Sequence, residues 1–223
     1  MSIRLSILLV ALLPLAAVEA QTPAPLPPDI NPVTLSRLPP VTRGDLDAEG
    51  QRLLDARTNP AAPGPGPGHL TSYSPKIGEG LGSLGRYLGV PRGDDFPLGG
   101  RFFQLIVLIT AREIDQQYEW SAHEPAGLRA GLEQSVIDVV KYNRDVKGLA
   151  DKDATLIRFF RALLREHKVS TELWTKQIEH FGRQRTIESI ALMGDYFIVG
   201  TMMNAADQHL PPTRPALMPA LKR

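Results

Sequence analysis

Hydrophobic positions along this chain recur at helical spacing, and no run alternates with period two over several residues. The strongest segment is Phe102, Phe103 and Leu105 to Ile109, apolar almost all round, continuing through Ala111, Arg112 and Glu113. Its β-branched residues would suit a strand, but its length predicts a buried helix. Between Asp153 and His167, Leu156, Phe160, Leu163 and Leu164 fall on one stripe, which predicts an amphipathic helix. Ser170 is placed to cap the next helix, through Leu173, Trp174 and Ile178, which Gly182 breaks. A long apolar helix follows from Thr186 to Asp207, stopped by Pro211 and Pro212; Glu188 and Asp195 within it argue against a membrane span. Shorter helices are expected from a Thr42 N-cap to about Arg57, from Ser74 to Leu88, from Gln116 to His123 with Pro125 as its stop, and from Leu132 to Tyr142. Pro/Gly-rich connections separate them at 59–68 and 89–100. The pattern predicts an all-α fold, a compact helical bundle.

The two ends read differently. Arg4, the uncharged apolar run from Leu5 to Ala17, and the small residues Val18 and Ala20 form a secretory signal over 1–20. The run is too short for the roughly 20 residues that span a bilayer. A periplasmic or secreted location is therefore expected, with no membrane attachment in the mature form. Residues 21–41 hold seven prolines, from Pro23 to Pro40, and read as an extended arm, either disordered or wrapped on a neighbouring subunit. The helical domain then covers 42–210 and a short tail covers 211–223.

Charge and cysteine content narrow the function. Lys plus Arg number 25 and Asp plus Glu 24, a net charge of +1, so no basic footprint for nucleic acid is present. A small-molecule substrate is the expected partner. The chain has no Cys, which excludes thiol nucleophiles, CxxC redox chemistry and thiolate metal sites. His69, His167, His180 and His209 stand in no metal-ligand spacing, and no metal is expected.

One stretch combines groups able to move protons. On a helix, Gln116, Glu119 and His123 share a face, with Glu119 and His123 one turn apart. A carboxylate there orients an imidazole, and Tyr118 and Trp120 add flat surfaces with hydrogen-bond donors. The same spacing equally describes an ordinary solvated ion pair.

The parts RFFQL, from Arg101, and YEW followed by His123 resemble the signature of the carboxymuconolactone decarboxylase family, within the alkylhydroperoxidase D-like superfamily. The resemblance covers about residues 42–210 and continues weakly into the helix bearing Tyr196 and Asn204. It implies an alkylhydroperoxidase D-like bundle, assembly as a trimer or hexamer, and decarboxylation of a small carboxylated lactone or keto acid without cofactor. By the same resemblance His123 would be the general acid and Glu119 its orienting carboxylate. Tyr118 and Gln104 would complete the catalytic set, while Trp120, Gln116, Arg101 and Arg112 would bind substrate. Two positions depart from the pattern. The superfamily's CxxC cysteines would fall at Gln116 and Glu119, and the acidic residue of the preceding helix stands here as Gln104. A peroxidase-like oxidoreductase and a non-catalytic binding or assembly protein are the alternative readings.

Overall fold

The computed structural model describes residues 26–56, 64–89 and 99–219. The expected signal over 1–20, the first five residues of the arm, parts of both Pro/Gly connections and the last four residues of the tail lie outside them. Among the described residues eight α-helices and no strand are present: α1 (Ala48–Asp55), α2 (Pro67–Thr71), α3 (Pro75–Gly89), α4 (Gly99–Glu113), α5 (Gln117–Arg129), α6 (Gln134–Lys141), α7 (Asp151–Glu166) and α8 (Thr171–Ala205). None is long and apolar enough to cross a membrane.

The helix α4 is the centre. It packs on α5, α6, α7 and α8, and Leu105, Ile106, Val107, Leu108 and Ile109 are wholly buried. Each such side chain contributes about 1.5–3 kcal/mol on leaving water, which explains why β-branched residues with mediocre helix propensity hold a helix here. Phe159 and Phe160 of α7 and Leu192 of α8 close the core around it. The ends of the elements follow local chemistry. Ser170 caps α8 by accepting from Leu173 N at 3.2 Å. Gly182, at φ 73°, interrupts α8 where the sequence has its break, and the helix resumes beyond it.

Several boundaries differ from the sequence expectation. Asp47, accepting from Gly50 N, caps α1, while Thr42 closes a single 3₁₀ turn over Arg43–Asp45. Pro125 does not end α5, which runs on to Arg129. Proline removes one backbone donor, but Glu124 and Gly127 beside it are buried, so packing holds the backbone helical. A short helix, α2, occupies the end of the first Pro/Gly connection.

The described part of the arm, 26–41, folds onto its own chain. Arg37 N donates to Ala206 O and His209 N to Leu35 O, the Gln208 amide donates to Thr34 O and Leu35 O, and Ile30, Thr34 and Ser36 are buried. The tail docks too: Met218 joins the main core, and Leu217 N donates to Ser121 Oγ at 3.2 Å.

Candidate active site

Gln116 sets the geometry of α5. It is the N-cap, in extended backbone conformation, and its side chain accepts from Tyr118 N at 2.7 Å. Its amide nitrogen also reaches α8, donating to Asn204 Oδ1 at 2.8 Å and Gly200 O at 3.3 Å. Helix α8 comes close because Gly200 has no side chain: a Cβ there would lie 2.4 Å from Ile114 Cδ1. Gln116 therefore ties α5 to α8 and does not face the cavity described next.

That tie places His123 and Glu119 of α5 opposite Asp195 and Tyr196 of α8. With Thr71 of α2 and the glycine face of α3 they line a cavity of about 320 Å³, within the range of small-molecule sites. The α3 wall is open because Gly78 and Gly82 lie one turn apart on it. A Cβ at Gly82 would meet only Arg86 Nη1, at 3.4 Å.

Within the cavity wall His123 Nδ1 lies 2.8 Å from Gln104 Oε1, and His123 Nε2 lies 3.2 Å from Glu119 Oε2. The Gln104 carbonyl oxygen is an acceptor, so Nδ1 carries the proton it receives. The Nε2–Oε2 contact then closes through a single proton, held by the imidazole or by the carboxyl. Tyr196 packs edge-on against the His123 ring, with centroids 5.1 Å apart, and against Phe103. Burial, followed by the Glu119 and Asp195 charges, holds the Tyr196 hydroxyl well above the ordinary phenol range. Asp195 is only 8 % exposed. Its Oδ1 is shut away from solvent without a hydrogen-bond partner. Burial, and then the neighbouring Glu119 charge, push its carboxyl up to about 6.

The structure thus brings Gln104, Glu119 and His123 together and puts the other expected site residues elsewhere. Trp120 is fully buried in the main core, its indole N–H donating to Glu124, which also pairs with Lys141. Tyr118 belongs to a second apolar cluster with Leu70, Met203 and Ala206, and its hydroxyl donates to Pro65 O at 2.8 Å. Arg101 is bound bidentately by Asp153 and also by Glu133. Arg112 is buried, donating to Pro219 O at 2.8 Å. Neither arginine lines the cavity. Asp195 is the residue the sequence reading passed over as chemistry. Its signal is a carboxylate flanked by the apolar residues Ile190 to Met193 and Tyr196 to Val199, a position that burial perturbs. Among the described residues no group of three or more His, Cys, Asp or Glu is arranged to hold a metal ion.

The fold defines the class: an all-α bundle of the alkylhydroperoxidase D-like type. Three solved structures share it. One is an Agrobacterium tumefaciens protein of unknown function described as a putative antioxidant defence protein AhpD, 15 % identical with a TM-score of 0.55, over 63 % of this chain and 94 % of that one. Another is an uncharacterized peroxidase-related protein with an alkylhydroperoxidase AhpD core from Ralstonia eutropha JMP134, 16 % identical with a TM-score of 0.57, over 80 % and 93 % of the two chains. A third is a cysteine-to-alanine variant of the debrominase Bmp8 in complex with 2,3,4-tribromopyrrole, 11 % identical with a TM-score of 0.53, over 65 % and 77 %. No protein-family model matches the sequence, and no curated protein matches it.

Proposed function

We propose that this protein is an acid–base enzyme in which Glu119 and His123 work as one proton-carrying pair at the α3–α5–α8 cavity. The observation that carries this reading is the chain Gln104 Oε1 to His123 to Glu119 Oε2, with contacts of 2.8 and 3.2 Å, ending in a cavity wall. Both ring nitrogens of His123 are engaged, so contact with substrate is assigned to Glu119, with His123 beside it in the cavity wall as its proton partner and Gln104 fixing the ring. These roles differ from the expectation of His123 as the direct acid. A carboxyl that gives or takes a proton at the substrate, in contact with an imidazole, suits general acid–base catalysis.

The reaction proposed is protonation of carbon after loss of CO2 from a small lactone or keto acid. The C–C bond breaks, its electron pair stays on the substrate carbon, CO2 leaves, and the proton held between Glu119 and His123 closes the new C–H bond. Neither Arg101 nor Arg112 is placed to hold the carboxylate, since both are committed elsewhere. The wider reading is therefore reversible proton transfer at carbon next to a carbonyl, with decarboxylation as one case. Thiol-based peroxide reduction is closed to a chain without Cys.

One experiment covers both. Purified protein is incubated in deuterated buffer with β-keto acids, carboxylated lactones and their uncharged methyl ketone and lactone counterparts. CO2 release and deuterium incorporation are followed together. Turnover should fall by about 10²–10⁴-fold in Glu119→Gln and in His123→Ala. Full activity in either variant, or neither reaction in the native protein, overturns the assignment.

A further inference from the structure

Asp195 poses a question that the Glu119–His123 pair does not answer. It is more than nine-tenths buried, it borders the cavity, and among the described residues nothing donates a hydrogen bond to its Oδ1. A buried acceptor without a donor is unfavourable, and more so when charged. The neighbouring groups do not supply one. From α5 it faces Glu119, another acceptor, whose own partner is His123. From α3 it faces Gly85, where even a Cβ would be 3.7 Å from Oδ2. Arg86 on α3 is the cation of that wall, and it is exposed. Its Nη1 lies 3.4 Å from where a Gly82 Cβ would stand. The cavity therefore presents two carboxyls, one with an unpaired oxygen, beside an aromatic ring and the apolar side chains of Leu81 and Val199.

We propose that this cavity binds a small molecule carrying a protonated amine, whose N–H groups donate to Asp195 and Glu119 while its apolar body lies against Leu81, Val199 and the glycine face of α3. An ammonium group supplies three donors and a positive charge beside two carboxyls, one of which has an unpaired oxygen. A ligand whose only charge is a carboxylate meets like charge there, which among keto-acid substrates favours one that also carries an ammonium group. A neutral alcohol supplies one donor and leaves the paired negative charge uncompensated. Calling this amine the substrate rests on the proposed acid–base reaction; its binding does not.

The test uses the full chain and benzylamine, with benzyl alcohol and benzoate as probes of the same shape and different charge. Binding is measured by calorimetry and by NMR titration at pH 7.5. Benzylamine should bind at least tenfold more tightly than benzyl alcohol, with benzoate weakest. In Asp195→Asn, which keeps the side-chain shape, benzylamine should lose at least tenfold and benzyl alcohol should be nearly unchanged. Gly82→Leu, which fills the cavity from the opposite wall, should abolish benzylamine binding with Asp195 intact. Equal affinity for amine and alcohol, or unaltered amine binding in both folded variants, overturns the proposal. His123→Ala separates it from the reaction: amine binding kept and turnover lost supports both, and turnover with no amine preference leaves the acid–base reading standing alone.

Discussion

Buried carboxyls leave a signature at the residue scale that does not depend on any ligand. The Asp195 carboxyl sits at about 6 in the folded chain against an ordinary 3.8. The folded state then holds that proton more tightly than the unfolded one. Its contribution is fully favourable below the unfolded value and is lost as pH rises through about 4 to 6. Above that window the ionised group destabilises the fold by about 1–3 kcal/mol. Asp195→Asn removes the titration. The variant should gain stability over the native chain as pH goes from 4 to 7.5, by about 2–10 °C in melting temperature. Equal pH profiles for the two proteins would show that Asp195 ionises without hindrance.

At the scale of elements, the site exists because α5 and α8 are bolted together by Gln116. Replacing Gln116 with Ala removes the cap on Tyr118 N and two contacts to α8. Loss of a cap costs about 0.5–2 kcal/mol, and each buried group left unpaired adds about 1–3 kcal/mol. Gln116→Ala should lower stability by about 2–4 kcal/mol in chemical denaturation and weaken turnover without touching the cavity wall. Gly200→Ala tests the same junction from the other side, since the added methyl meets Ile114 at 2.4 Å. A second close approach lies at Gly66, where φ is 123° and a Cβ would fall 2.6 Å from Tyr118 Oη. Gly66→Ala should therefore also destabilise, by strain and by displacing Tyr118. These elements also show what was legible in the sequence. The buried run of α4, the stripe of α7, the Ser170 cap and the Gly182 break are local signals, and they appear where the pattern puts them. Gln116 was read onto the face of Glu119 and His123 because helical spacing assumes a helix already under way. The helix instead starts at Gln117, so Gln116 points to α8. The Glu119–His123 contact, one turn apart on the same helix, is the local part of the site and was visible. Asp195 lies across the fold from α5, and Arg101 finds Asp153 only through packing, so neither relation has a sequence-local trace.

For the whole molecule, the described parts of the arm and of the tail both pack on the bundle, and the tail contributes to its stability. Met218 is buried in the main core, Leu217 N bonds Ser121 Oγ, and Pro219 O accepts from Arg112, which is itself only 7 % exposed. Deleting 211–223 takes Met218 out of the core, a loss of about 1.5–3 kcal/mol. It also leaves the Arg112 guanidinium without its carbonyl acceptor, with Asp115 at 3.6 Å as its remaining partner, at a further cost of about 1–3 kcal/mol. The truncated chain should melt about 5–15 °C lower. Since the tail covers the Ser121 side of α5 and not the cavity of Glu119, turnover below the melting point should persist. The two costs are separable, because Arg112→Leu in the truncated chain removes the stranded charge. That substitution should recover part of the lost stability there and reduce it in the full-length protein, where the same arginine is satisfied. Opposite signs of one substitution in the two backgrounds, measured by thermal melts, identify the tail as a structural cover for Arg112; equal signs would place its contribution in Met218 alone.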